Sequence, residues 1–315
     1  MRGVCDEPGH CYPARAFRDG AVLIAGEGHG MSYRWWSCCR TTTGRQRRVN
    51  EDAYLNLDDL GLWLVADGMG GHTRGDVASR LIVEAFEGLP RPDSLENFAY
   101  QVKARLAIAN QRMRDEAHAA GFDQLMGSTV VAFLVYKREW MCLWAGDSRA
   151  YLLRDGRLTQ ITRDHSVAEE LVQRGKLSRA QANSHPSSNR ITRAVGTQDQ
   201  LVIDQYRSFL RDGDAVLLCS DGLTKEVSDD EVAAIMDDYD CEEASEELVE
   251  LTLERGARDN VTVAVIRFEA TTGFGDHHAD DTAVNYGLTH RPHQLTRHDS
   301  RDRVQVNEAR SSATV

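Results

Sequence analysis

The sequence predicts an α+β fold in which antiparallel β-sheets pack face to face under a cover of helices. Three observations lead there. Runs of short apolar segments are interrupted by pairs of amphipathic helices, which is the pattern of segregated layers. Neighbouring strands are joined by turns shorter than the crossover a parallel pair requires. Several apolar runs also stop at Asp-Gly, as buried strands do where they enter a turn.

Taken in order, residues 1 to about 40 are rich in Gly and Arg, carry Trp35-Trp36, and show no sustained period. They read as a poorly ordered extension with one strand at Ala21–Ile24. Between Ala53 and Ala66 two strands meet around Asp58-Asp59-Leu60-Gly61. Val77, Leu81, Ile82, Ala85 and Phe86 recur at helical spacing, as do Leu95, Phe98, Val102, Leu106, Ala109 and Met113, so two amphipathic helices follow. Strands are expected at Thr129–Tyr136, Trp140–Trp144 and Ala150–Leu153, with Arg154-Asp155-Gly156-Arg157 as a hairpin turn. Leu201–Leu210 and Ala215–Cys219 are further strands. Helices at about Asp229–Asp238 and Glu243–Arg255 lead into a last strand, Val261–Phe268. The segment from Asp164 to Gln200 stands apart: helical Val167–Arg174 ends at Gly175, a short helix starts at Lys176-Leu177-Ser178, and His185-Pro186 breaks it. Beyond Glu269 the chain has the composition of a disordered tail.

At 315 residues the chain can bury a sizeable core, and 41% hydrophobic with 27% charged residues is ordinary for a soluble domain. A formal charge of −12 argues against nucleic acid, whose phosphates want a basic face. Much of the acid lies at helical spacing between Glu226 and Glu254 and reads as a solvated helix face. Against it, Arg45, Arg47 and Arg48 form one basic spot, and Arg174, Lys176, Arg179, Arg190 and Arg193 form another. No apolar stretch approaches a membrane span and no secretory signal opens the chain. Seven cysteines, an odd number without paired spacing, fit a reduced cytoplasm and offer no C-x2-C pair for zinc.

The chemistry begins with Asp67, Asp221 and Asp259. Leu62–Ala66 runs into Asp67-Gly68, Ala215–Ser220 runs into Asp221-Gly222, and Asp259-Asn260 precedes Val261–Ile266. Carboxylates converging from such strand ends repel unless cations sit between them. Mg²⁺ and Mn²⁺ take oxygen ligands of this kind and retain waters, as two-metal hydrolysis of phosphate esters demands.

Arg47-Arg48-Val49-Asn50-Glu51-Asp52, Val65-Ala66-Asp67-Gly68-Met69-Gly70-Gly71-His72, Gly127-Ser128-Thr129, Ala145-Gly146-Asp147-Ser148-Arg149, Cys219-Ser220-Asp221-Gly222 and Asp259-Asn260 follow one another in that order. In this the chain resembles the metal-dependent serine/threonine protein phosphatases of type 2C, bacterial branch, over roughly residues 40 to 269. The resemblance implies a central β-sandwich flanked by helix layers on both sides, four layers in all, with Asp164–Gln200 as a flap beside the site. It implies hydrolysis of phosphoserine and phosphothreonine in proteins, opposing a Ser/Thr kinase, by a monomer of the cytoplasm. It further implies that Asp67 bridges two Mn²⁺ or Mg²⁺ ions with the Gly68 carbonyl, that Asp221 and Asp259 complete one ion, and that Glu51 reaches the other. Arg47 would grip the phosphoryl oxygens through its planar fork. Asp147 would hold a third, weaker ion, with Asp52 and Asn260 orienting waters and ligands.

One departure stands out. Eukaryotic relatives place a histidine after Asp-Gly as general acid, and here that residue is Met69, which has no proton to give. A metal-bound water or His185 then becomes the candidate donor, while His72 reads as a packing residue. A second pattern, Cys39 to Arg45, matches the C-x5-R loop of thiolate phosphatases. It lacks a convincing preceding strand and a Ser or Thr after Arg45, and the reading does not favour it.

Overall fold

A computed structural model describes residues 32–70, 74–119, 126–183, 185–187 and 190–271. All of these belong to one of the two compact units into which the chain divides, residues 1–273. The second unit, with the expected C-terminal tail, lies outside the described residues, as do Ala21–Ile24 and His72.

Two antiparallel sheets form the centre. One has the order β1 (Ser32–Thr42), β11 (Val261–Thr271), β10 (Ala215–Cys219), β7 (Arg149–Arg154), β8 (Arg157–Gln160). The other runs β2 (Asp52–Leu57), β3 (Leu62–Met69), β5 (Val130–Tyr136), β6 (Glu139–Ala145), β9 (Asp204–Phe209), with the two-residue β4 (Gly127–Ser128) on the end of β3. Helices α1 (Gly75–Ala85) and α2 (Leu95–Ala119) cover the second sheet, and α5 (Asp221–Thr224), α6 (Asp229–Asp238) and α7 (Cys241–Glu254) cover the first. The short α3 (Val167–Gln173) and α4 (Arg179–Asn183) stand between β8 and β9.

The unbroken apolar runs explain the layering. In β3, Trp63 and Val65 face the other sheet while Leu62, Leu64 and Ala66 face α1 and α2. In β11, Ala264, Ile266 and Phe268 face inward while Val261, Val263 and Val265 meet the helices on the far side. A strand alternates its side chains between faces, so a run apolar at every position is satisfied only when both faces are covered. Between the sheets Trp35, Trp63 and Phe268 meet edge-on, with ring centroids 5.9 to 6.3 Å apart. Each such ring contributes about 1.5–3 kcal/mol by burial, with edge-to-face contact adding to it.

Several boundaries differ from expectation, among them β11, which runs to Thr271 past the expected end at Phe268, and α4, which starts at Arg179 and not at Lys176. The segment ending near residue 40 was expected to be poorly ordered, but Ser32–Thr42 forms β1, paired along its length with β11 from Ser32–Thr271 to Thr42–Val261. Only Tyr33 and Trp35 of β1 are fully buried, so its alternation is weak in sequence and the strand is held by a partner more than 200 positions away. Helix α7 starts two residues early because Asp240 accepts hydrogen bonds from the Glu242 and Glu243 N–H groups at 2.8 and 2.9 Å. Strand β9 is shorter than Leu201–Leu210, since Leu201 and Ile203 turn aside to pack against the α2 core.

Candidate active site

The strand registers bring the predicted carboxylates to one end of the sandwich. Asp52 stands opposite Asp67 in the β2–β3 ladder. Cys219, two residues before Asp221, pairs with Arg149 on one side and Val263 on the other. Asp147 lies two residues before the start of β7, and Asp259 two residues before the start of β11. Residues distant in sequence thus share a corner because antiparallel pairing aligns strand ends.

Short polar contacts fix this corner. The Asp67 N–H donates to Thr129 Oγ1 at 3.1 Å, the Thr129 N–H returns to Asp67 O at 2.8 Å, and Thr129 Oγ1 lies 2.6 Å from Ser148 Oγ. The end of β3 is therefore tied to the loop carrying Asp147. Gly146 in that loop has φ +122, and a Cβ there would strike the Thr129 side chain at 2.5 Å. Gly68 is needed for a different reason. Its N–H donates to Glu51 O at 2.9 Å, and a Cβ would fall 1.9 Å from Gly75 O, so three backbone segments meet where only glycine fits.

The electrostatics are those of crowded carboxylates. Burial, then the charges of Asp52, Asp221, Asp147 and Asp259, push the Asp67 carboxyl well up. Burial raises Asp147 to about 8, with the Asp221 charge adding to it. Asp52 is raised by burial to about 7 although its Oδ2 accepts from Ser220 Oγ at 2.8 Å and Thr262 Oγ1 at 2.7 Å. Asp221 is raised by burial against the pull of Lys225, whose Nζ is 2.6 Å from its Oδ2. Asp259 goes the other way: burial is outweighed by Lys225 at 2.8 Å and by Arg47 at 2.9 Å, and its carboxyl is held low. Glu51 is raised by burial and lies 3.8 Å from Arg47.

These residues fit a hard divalent cation. All the donors are oxygens, and Asp52 Oδ1, Asp147 Oδ1 and Asp221 Oδ1 are buried without a hydrogen-bond partner. Among the described residues no three carboxylate, imidazole or thiol groups already converge at ligating distance. Lys225 contacts both Asp221 and Asp259, and Arg47 contacts Asp259.

Most of the predicted set is brought together: Glu51, Asp52, Asp67, Gly68, Asp221, Asp259 and Asn260 share the corner with Arg47 at its mouth, and Asp147 faces Asp221 and Lys225. Met69 closes β3 against Gly127. His185 spends its Nδ1 on the Ser187 N–H at 3.1 Å, a turn contact. Cys39 lies within β1 opposite Ala264, its thiol pushed up by burial, and Arg45 donates to Leu253 O at 2.7 Å. Neither is arranged as a thiolate phosphate loop.

Sequence reading missed four contributors. Lys225 sits one helical turn after Asp221, an i,i+4 spacing that was legible. Asp76, at the start of α1, keeps Oδ1 buried and unpartnered, and its charge acts on Glu51. Ser148 carries no signal beyond its neighbour Asp147. His165 accepts the Gly146 N–H at Nδ1 (3.1 Å), stacks on Trp144, and so donates from Nε2 to Asp204 at 3.1 Å. Burial holds its imidazole low and therefore neutral.

A sequence profile of the protein phosphatase 2C family matches residues 41–260. The chain belongs to the protein phosphatase 2C family. Among solved structures, it resembles PppA, a key regulatory component of T6SS in Pseudomonas aeruginosa, at TM-score 0.70 and 40% identity, over 77% of this chain and all of that one. The catalytic domain of the serine/threonine protein phosphatase PstP in complex with two manganese ions resembles it at TM-score 0.67 and 32% identity, over 76% and 100%. PstP of Mycobacterium tuberculosis is 36% identical over 227 residues, 72% of this chain, and this chain spans 43% of that protein's length. Membership in the phosphatase 2C family accounts for the two helix-covered antiparallel sheets.

Proposed function

We propose that this phosphatase 2C chain hydrolyses phosphoserine and phosphothreonine in proteins with Mn²⁺ or Mg²⁺, opposing a Ser/Thr kinase of the same cell. The observation that carries this reading is the corner of partly buried carboxylates with unpartnered oxygens, Asp52, Asp147 and Asp221 around Asp67. Such a cluster is costly to keep charged unless a cation neutralises it. The manganese in the PstP structure supports the choice of a divalent ion for this chain.

The residues that would hold two ions are Asp67 with the Gly68 carbonyl, Glu51, Asp221 and Asp259, and Asp147 would hold a third. When bound, the ions supply Lewis-acid charge and a water activated for attack on phosphorus. The chain supplies position. Thr129 and Ser148 fix the Asp67 backbone, and Ser220 and Thr262 hold Asp52 so that one oxygen stays available toward Asp67. Arg47, 47% exposed at the mouth, suits the phosphoryl oxygens by its planar fork once a stronger cation takes Asp259 from it. With Met69 unable to donate, the leaving serine or threonine oxygen takes its proton from water, which favours an open site.

No helix among the described residues is long and apolar enough to cross a membrane. The test is hydrolysis of a phosphothreonine peptide by purified protein stripped with EDTA, then given Mn²⁺ or Mg²⁺. Activity only with the metals is expected; turnover undiminished in EDTA overturns the reading.

A further inference from the structure

The carboxylate corner already contains a cation of its own. Lys225 Nζ lies 2.6 Å from Asp221 Oδ2 and 2.8 Å from Asp259 Oδ2, and its charge also acts on Asp147. It is held there by the fold. Lys225 caps the single turn of α5, its N–H donating to Asp221 O at 3.0 Å, while Leu223 and Val227 on either side are buried in the helix-covered core. The side chain is only 27% exposed, so its contacts are weakly screened compared with those of Arg47.

We propose that Lys225 is a resident counter-ion that competes with divalent metal for Asp221 and Asp259 and thereby sets the affinity of that end of the site. The ammonium holds Oδ2 of both carboxylates while Asp221 Oδ1 stays unpartnered, so a divalent ion on the same two carboxylates sits close to the ammonium, and like charges at such spacing repel strongly in a partly buried site. Lys225 must therefore release Asp221 and Asp259 when metal enters. In the metal-free protein the same ammonium keeps the clustered carboxylates from repelling one another. The end of the site bearing Lys225 consequently binds its ion more weakly than the Asp67–Glu51 end. This rests on the reading of the carboxylates as metal ligands.

The experiment is calorimetric titration of the EDTA-stripped full chain with Mn²⁺, together with its melting temperature in EDTA and in saturating Mn²⁺, for wild type, Lys225→Met and Lys225→Arg. Lys225→Met should bind Mn²⁺ roughly tenfold tighter at the weaker site. It should melt lower than wild type in EDTA and gain more on adding Mn²⁺. Lys225→Arg retains the charge and should keep an affinity close to that of wild type. Unchanged or weaker Mn²⁺ binding by folded Lys225→Met overturns the assignment to Lys225 while leaving the metal site standing. Wild type that takes up no Mn²⁺ overturns both. Should Lys225→Met not fold without metal, release of Mn²⁺ to EDTA from protein purified in Mn²⁺ makes the same comparison. Slower release than wild type supports the proposal, and equal or faster release overturns it.

Discussion

Asn260 Oδ1 accepts the backbone N–H of Glu51 at 2.9 Å, joining the residue after Asp259 to the loop that carries Arg47. Its Nδ2 completes the clamp by donating to Thr43 O at 2.9 Å and Val49 O at 3.0 Å. A side-chain amide has one acceptor and two donor hydrogens, and here all are spent on loop 43–51. Asn260→Asp keeps the acceptor and loses both donations. It should cost about 1–3 kcal/mol in denaturant unfolding, since two carbonyls lose their donors. It should also raise KM for phosphopeptide through a displaced Arg47. A variant with wild-type stability and KM would leave the clamp without a role.

Asp67 stands where the charges of four other aspartates meet. Asp67→Asn should remain folded by circular dichroism yet lose nearly all metal-dependent turnover, with Mn²⁺ uptake lost in parallel. Cys39→Ser should keep full activity, because Cys39 is a strand residue with a thiol too hard to ionise for attack. Loss of activity in Cys39→Ser would revive the thiolate pathway.

The metal-free protein should lose stability as pH rises above neutral. Asp52 at about 7 and Asp147 at about 8 hold protons in the fold that the unfolded chain has released near pH 4. Raised carboxyls contribute stability that is complete below the unfolded value and lost as pH climbs through the folded one. His165, held low, has the opposite effect, but its contribution is complete above about 6.5. The melting temperature in EDTA should therefore fall between about pH 6.5 and 8.5, less steeply in Asp52→Asn, and saturating Mn²⁺ should remove the fall. A flat or rising profile in EDTA contradicts this.

Arg47 should act mainly on substrate. Arg47→Ala is expected to lower kcat/KM by about 2–5 kcal/mol of lost contact to the charged phosphoryl group. Mn²⁺ affinity should change far less than in Lys225→Met, because an exposed ion pair is worth little. A large shift in metal affinity with intact kinetics would reassign it.

The segment of α3 and α4 is rooted by short bridges, Ser166 to Ile191 and Ser128 to Val195, and by His165 on Gly146, next to Asp147. We expect deletion of residues 170–190 to reduce turnover of phosphopeptide more than that of p-nitrophenyl phosphate, whose good leaving group needs no peptide contacts. Asp147→Ala should keep two tightly bound ions and lose phosphopeptide turnover. Equal loss on both substrates in the deletion would make the segment structural. Normal phosphopeptide turnover by Asp147→Ala would remove the third ion.

By itself the sequence determined the layered architecture and most of the candidate ligands. Val130–Tyr136 and Val261–Phe268 are apolar at nearly every position, and only a strand covered on both faces satisfies that pattern. Asp67 and Asp221 were legible because each ends such a run before a glycine. The helix expected at about Asp229–Asp238 is α6, and the structure starts it with a capping box between Ser228 and Glu231. The tertiary structure alone decided the rest. Strand β1 exists through pairing with β11, a contact no local window contains. Asn260 was expected to orient waters and ligands, and only the folded chain sets three distant backbone groups on its amide. For Lys225 only the i,i+4 spacing from Asp221 is local, and the meeting of β10 with β11 is what sets Asp221 and Asp259 on either side of its ammonium. Apolar periodicity is local and is written along the chain. The partner of a charge or an amide is set by chain crossings, and these exist only once the sheets have formed.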